Sequence, residues 1–201
     1  MKKKFFILVV STFFLLSHFA FSQWQKLSYQ VPYPANKIST LDKDHVYAVN
    51  GYGSFFRSVD GGNTWENIQT NTNKVLLDVA FLSPSTGYIC GADGTFLKTT
   101  DGGNTWTECI TNTILHLRSL YFLNKDTGLI SGHSYPWSPY SLGADSGIIL
   151  RTTDGAETFQ VINSIDFGIA GVSMVNFDTC FALCNTSYDY KIIRSTDMGN
   201  T

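Results

Sequence analysis

The chain is poor in the groups that most enzyme and nucleic-acid sites are built from. It has three glutamates (Glu66, Glu108 and Glu157) and four arginines (Arg57, Arg118, Arg151 and Arg194). The glutamates all fall within or just after a repeated octapeptide, and Asp42, Asp44, Asp78, Asp145, Asp166, Asp178 and Asp189 are scattered, so no pair of carboxylates is set to face a substrate as glycoside hydrolysis requires. After Lys4 there is no basic run, which removes the electrostatic footprint of a nucleic-acid binder. No phosphate-binding loop or nucleophile elbow is present, and His45, His116 and His133 are isolated in sequence. No cofactor and no metal site are expected. Proline is scarce within apolar segments, no segment has a helical period, and only one stretch is long and apolar.

That stretch opens the chain. Lys2, Lys3 and Lys4 precede an almost wholly apolar run from Phe5 to Leu16, and Ala20-Phe21-Ser22 supplies small residues at the two positions a signal peptidase reads. Residues 1–22 are therefore expected to be a secretory signal cut after Ser22. Residues 23–201 are then one repeat domain, secreted, periplasmic or at the cell surface. The alternative, an uncleaved anchor, fits less well because the run is short for a bilayer span. Cleavage takes Lys+Arg from 14 to 11 against 16 Asp+Glu, a formal charge of −5. An exported chain can form disulfides. Cys180 and Cys184, four apart on a strand, would stand roughly 13 Å apart, too far to bridge. Buried thiols are expected at all four cysteines, with a Cys90–Cys109 bridge as the alternative.

What the chain does have is repetition. Ser58-Val59-Asp60-Gly61-Gly62-Asn63-Thr64-Trp65 recurs as Thr99-Thr100-Asp101-Gly102-Gly103-Asn104-Thr105-Trp106. A weaker copy is Thr152-Thr153-Asp154-Gly155-Ala156-Glu157-Thr158-Phe159. A fourth, Ser195-Thr196-Asp197-Met198-Gly199-Asn200-Thr201, lacks its aromatic residue. The period is about 42 residues, with an insertion in the third unit. Each unit carries four apolar segments separated by turn residues: Leu76 to Leu82, then Tyr88-Ile89-Cys90-Gly91, then Phe96-Leu97-Lys98, then the strand opened by Trp106. Four short strands in about 42 residues describe a β-propeller blade. The fold class expected is all-β, with about four repeat units ending near Trp65, Trp106, Phe159 and Thr201. Trp24 lies 41 residues before Trp65, the spacing from Trp65 to Trp106, so Gln23–Leu27 reads as a lone outer strand. Two readings follow: a closed four-bladed ring completed by Trp24, or an incomplete propeller, which the interruption inside the fourth octapeptide favours.

The octapeptide pattern resembles the Asp-box, or BNR repeat, of sialidases, sortilin-type receptors, some glycoside hydrolases and photosystem II assembly-factor propellers. The last is similar in its Gly-Tyr-Ile-Cys-Gly and Asp-Gly-Gly-Asn-Thr-Trp patterns. The resemblance implies a structural role for Ser58, Asp60, Gly62, Thr64 and Trp65, for Thr99, Asp101, Gly103, Thr105 and Trp106, for Thr152, Asp154, Thr158 and Phe159, and for Ser195, Asp197, Gly199 and Thr201. The Asp side chain is expected to fix the turn by accepting backbone N–H groups. The aromatic residue is expected to cover apolar surface between blades. Ala156 at a position that wants positive φ predicts strain or a different bend. No catalytic residue is assigned, because the sialidase arginine cluster and Arg-Ile-Pro start are missing.

Function is expected where the repeat is interrupted. The third unit inserts His133 to Ser146, and the fourth has a longer loop, Asn185 to Tyr190. Tyr135, Trp137, Tyr140, Tyr188 and Tyr190 would then share one face, opposite the Asp-box turns, as an aromatic patch for a glycan or protein ligand. An equal alternative has them folded back to shield the blade edge. The expected function is a non-catalytic binding scaffold. The alternative is a fragment of a carbohydrate-active enzyme, of sialidase or glycoside hydrolase type, whose catalytic blades are missing.

Overall fold

A computed structural model describes residues 34–134, 146–165, 168–185 and 190–199. Trp24, Tyr135, Trp137, Tyr140, Tyr188 and Thr201 lie outside the described residues. Blade 1 is β1 (Ala35–Thr40), β2 (Val46–Asn50), β3 (Ser54–Ser58) and β4 (Glu66–Gln69). Blade 2 is β5 (Leu76–Phe81), β6 (Gly87–Gly91), β7 (Phe96–Thr99) and β8 (Thr107–Glu108). Blade 3 is β9 (His116–Phe122), β10 (Gly128–His133), β11 (Gly147–Thr152) and β12 (Gln160–Ile165). Blade 4 is β13 (Gly168–Met174), β14 (Cys180–Asn185) and β15 (Tyr190–Ser195). Each is an antiparallel meander in chain order, as the repeat predicts.

The innermost strands set the arrangement. β1 packs on β5, β5 on β9, and β9 on β13, with no comparable packing of β13 back on β1 among the described residues. The described blades therefore follow an arc, and the closed-ring reading is not what these strands form. Between blades the core is aromatic. Tyr47 of blade 1 lies flat on Phe81 of blade 2, ring centroids 3.7 Å apart, and Tyr88 lies on Phe122 of blade 3 at 3.9 Å. Phe81 and Phe122 also lie over Gly87 and Gly128, where a Cβ would meet the ring at 2.7 and 2.8 Å. Glycine opens each of these β strands because the partner strand's ring occupies the side-chain space.

All four cysteines are free thiols. In blade 2, Cys90 pairs with Phe96, and the Cys109 N–H donates to the Phe96 carbonyl. The two cysteines are thus separated by a whole strand, about 9–10 Å across the sheet, beyond disulfide reach. The bridge considered from sequence is excluded by register.

Candidate binding surface

The Asp-box hairpins and the turns joining the first two strands of each blade share one face. The Gly61 N–H donates to the Asp44 carbonyl, Gly102 to Ser85, Gly155 to Asp126, and Met198 to Asp178. Within the hairpin, the Ser58 hydroxyl donates to Asp60 at 2.8 Å and accepts the Gly62 N–H at 2.8 Å. Asp60 accepts the Thr64 N–H at 2.9 Å and the Thr64 hydroxyl at 2.6 Å. The same set recurs around Asp101 and Asp154. At Asp197 the Ser195 hydroxyl donates to the carboxylate and accepts the Gly199 N–H. Hydrogen bonds, led by the Thr hydroxyl, hold Asp60, Asp101 and Asp154 down at a pKa of about 2. A carboxylate that accepts three hydrogen bonds inside its own turn is a structural device. It has no proton to give near neutral pH.

Two consecutive residues in each hairpin are left-handed: Gly61 and Gly62, Gly102 and Gly103, Gly155 and Ala156, Met198 and Gly199. Ala156 has φ +69°, yet its N–H still reaches Thr152 Oγ1 at 2.9 Å. The third hairpin is therefore bent like the others, and alanine bears the strain the sequence predicts there.

The opposite face carries the loops expected to bind. In blades 1 and 2 these loops are short and pinned. The Thr70 hydroxyl donates to the Gly53 carbonyl at 2.6 Å and Thr111 to Gly94 at 2.8 Å. Gly53 and Gly94 have positive φ, and a Cβ on either would strike the Thr72 or Thr113 carbonyl at about 2 Å, so only glycine lets the two loops close. Lys74 ion-pairs with Asp93, and the Asp93 N–H donates to His116 Nδ1 at 3.2 Å. His133 lies directly across from His116 in the β9–β10 ladder. Ser134 and Ser146 close the base of the third blade's insertion, with the Ser134 N–H donating to the Ser146 carbonyl at 2.9 Å.

Of the five aromatics expected to form a patch, Tyr190 is described. It opens β15 opposite Asn185 and is 73% exposed. Tyr135, Trp137, Tyr140 and Tyr188 fall outside the described residues, so their meeting with Tyr190 is not part of the structure. Sequence reasoning missed two apolar residues between β8 and β9. Ile110 and Ile114 stand in a loop of blade 2, and Ile114 is 86% exposed. Their signal was an isoleucine in a polar Thr-Asn-Thr setting, where no strand pattern calls for one.

The inner strands supply the charged groups. Asp78, one of the acids scattered in the sequence, is buried on β5 where a bulge turns it inward. Its Oδ2 accepts the Leu120 N–H of blade 3 at 3.1 Å, and Lys37 of blade 1 lies 3.4 Å from Oδ1. One carboxylate thus ties three blades. Burial pushes its pKa up, against the Leu120 N–H and Lys37, which lower it. Arg118, next along the inner wall on β9, has its Nε buried without a hydrogen-bond partner among the described residues. No cluster of three metal-ligating side chains occurs among the described residues.

This architecture is shared with known proteins. The chain is similar to a solved structure of YCF48 bound to a D1 peptide, at 25% identity over 68% of this chain and 42% of that one, with a TM-score of 0.54. It is similar to YCF48 from Cyanidioschyzon merolae at 20% identity, covering 82% of this chain and 58% of that one, TM-score 0.56. A GH74 enzyme from Niastella koreensis matches at 15% identity over 83% of this chain and 29% of its own, TM-score 0.61, a likeness of fold alone. The chain spans about half the length of the two YCF48 structures. No curated protein matches it. The family model described as photosynthesis system II assembly factor YCF48 matches residues 63–163, half of the chain, taking in two whole Asp-boxes and the end of the first. The chain belongs to this YCF48 family of Asp-box β-propellers.

Proposed function

We propose that the protein is a non-catalytic propeller that works after export and binds an extended segment of another protein on the face opposite its Asp-boxes. The observation that carries this reading is the likeness, at 25% identity, to a YCF48 propeller whose structure holds a D1 peptide. The surface is suited to such a ligand. Exposed Tyr52, Ile110, Ile114 and Tyr190 offer apolar contact, and Lys74 and Asp93 offer charge of both signs beside them. The insertion between His133 and Ser146 carries Tyr135, Trp137 and Tyr140, three further aromatic residues for such a contact. Aromatic anchors with a polar surround are the usual energetic centre of a protein interface. A photosystem partner is not part of the proposal.

The test uses the chain beginning at Gln23 and a random dodecapeptide phage library. Enrichment of a common peptide, with about 10-fold weaker binding to Trp137→Ala and Tyr190→Ala, supports the reading. No enrichment over immobilised carrier overturns it, as does binding confined to a glycan array. Export has its own readout. Expressed from Met1 in a secreting bacterial host, the protein recovered outside the cytoplasm should begin at Gln23; an intact Met1 start would refute cleavage after Ser22.

A further inference from the structure

The path from β8 into β9 departs from the repeat, and each departure leaves a side chain that the fold does not use. The connection itself is built like the one from β4 to β5. Thr70 and Thr111 donate to equivalent glycine carbonyls, and Asn71 and Asn112 are both left-handed, with φ +62° and +55°. The N–H groups of Lys74 and Leu115 each donate to a Thr hydroxyl two residues back. On this common backbone, Gln69 and Asn73 of the first connection are replaced by Ile110 and Ile114 in the second. All four positions are exposed, Ile110 at 77% and Ile114 at 86%. A polar pair serves the same turn in blade 1, so the turn does not call for isoleucine. Two such residues held open to water gain nothing for the folded chain.

Four residues beyond Ile114 stands Arg118. Leu117 and Ser119 pair with β10 and Arg118 does not, so it is the extra residue of a β-bulge. Bulges lie at equivalent places in β1, β5 and β13, at Asn36, Leu77 and Ala170. A bulge re-aims the side chain it carries. Asn36 uses this to donate to the Leu76 carbonyl of blade 2 at 2.8 Å. Leu77 and Ala170 have no polar group to place. Arg118 has one, and its Nε is buried with no acceptor among the described residues. The acids of the neighbouring blade are already engaged. Asp78 accepts the Leu120 N–H and faces Lys37, and Asp93 pairs with Lys74. An unmade hydrogen bond at a buried guanidinium is a net loss to the folded chain, which an incoming acceptor would recover.

The two departures lie close together. Four residues span at most about 13 Å, so Ile114 and Arg118 fall within the reach of one short ligand segment. A guanidinium binds a carboxylate through two parallel N–H bonds, and this is the strongest acceptor a protein partner can offer it. Arg118 stands on the innermost strand of its blade with its Nε covered, so a flat membrane resting on Ile114 does not reach it, whereas an extended chain does.

We propose that Ile110, Ile114 and Arg118 select the partner segment: an extended peptide that lays an apolar side chain against the two isoleucines and gives a carboxylate, within about four positions of it, to the Arg118 guanidinium. This rests on the peptide-binding reading above and adds to it the chemistry of the partner.

The dodecapeptide phage library supplies the probe. Peptides enriched on the wild-type chain should carry an acid within about four positions of an apolar residue. One enriched peptide, synthesised with a fluorophore, is then titrated by anisotropy. Arg118→Leu, the residue of blade 2, should weaken binding about 30-fold. Replacing the peptide's acid by its amide should weaken wild-type binding by a similar factor, and the two changes together should cost no more than either alone. Ile114→Asn, the residue of blade 1, should weaken binding about 10-fold, equally for acid and amide peptides. Each variant borrows a residue that the same backbone already carries, and near-UV circular dichroism checks the packing. Arg118→Gln replaces Arg118→Leu if the latter does not keep it. Enriched peptides without an acid, or equal wild-type affinity for acid and amide, overturn this inference and leave the peptide-binding reading standing. No enrichment overturns both. Binding instead to phosphatidylcholine vesicles containing about a quarter phosphatidylglycerol, lost in Ile114→Asn, would assign the isoleucines to a membrane and overturn the proposal.

Discussion

Trp106 stands edge-on to Phe55 of the preceding blade, with ring centroids 5.0 Å apart and planes at 72°. Its ring also meets the edge of Phe81 at 6.0 Å. The last residue of one octapeptide therefore closes a junction with the blade before it, which couples the repeat to its neighbour. Phe159 takes the same place against Phe96, again at 5.0 Å. Trp106→Ala should cost about 3–5 kcal/mol, the range for a buried aromatic truncation. Urea unfolding should show a lowered midpoint. Because blades are stabilised mainly by their neighbours, that loss should spread to blade 1.

The blades, their strand order and the turn chemistry were legible in the sequence because they are periodic. Four octapeptides in phase with four apolar segments leave little freedom once each strand must bury one face. The site was less legible. Asp78 is indistinguishable from the turn acids by spacing; its role comes from a bulge in β5 and from the N–H of Leu120, which is 42 positions away. The extra length of the third blade's loop marked it as non-repetitive, but length does not fix where Tyr135, Trp137 and Tyr140 point. The repeat itself serves open and closed arrangements alike, and the arc that the described strands form is the one of the two that the sequence favoured.

Gly103 and Ala156 occupy the same turn position with different neighbours. Gly103 has φ +88°, and a Cβ there would lie 2.4 Å from Phe55 Cε1. Gly103→Ala should cost more than the 1–2 kcal/mol of left-handed strain alone, because Phe55 is locked under Trp106. Ala156 already bears that strain at φ +69° and gains from a buried methyl. Ala156→Gly should change stability by less than about 1 kcal/mol, since relieved strain offsets about 0.8 kcal/mol of lost burial. Thermal melts of the two variants check the asymmetry, which is lost if both shift equally.

The Asp-box carboxylates set an acid limit on the fold. Asp60, Asp101 and Asp154 have pKa values of about 2 when folded, depressed by the Thr hydroxyl, the backbone N–H groups and the Ser or Thr hydroxyl of their own hairpins. The unfolded value is about 3.9, so the unfolded chain binds protons first as pH falls. Their contribution is complete above about pH 4 and is lost as pH falls towards 2. The melting temperature should drop steeply across that window. Thr64→Val with Thr105→Val removes two of the hydroxyl donors and should make the drop shallower, while lowering stability at pH 7.

Asp78 gives the opposite pH sign. Burial raises its pKa, so the folded state holds its proton more tightly than the unfolded chain does. The charged form is the less favourable one, and this group's contribution falls as pH rises above about 4. Asp78→Asn keeps an acceptor for the Leu120 N–H and removes a buried charge, at the loss of a half-exposed Lys37 pair. It should leave stability at pH 7 unchanged or slightly higher. Asp78→Ala leaves the Leu120 N–H without its acceptor and should cost about 1–3 kcal/mol. Hydrogen exchange at the Leu120 amide discriminates the two: protection should persist in the Asn variant and fall in the Ala variant. Equal loss in both would mean that the carboxylate's charge, through Lys37, holds the three blades together instead of its hydrogen bond.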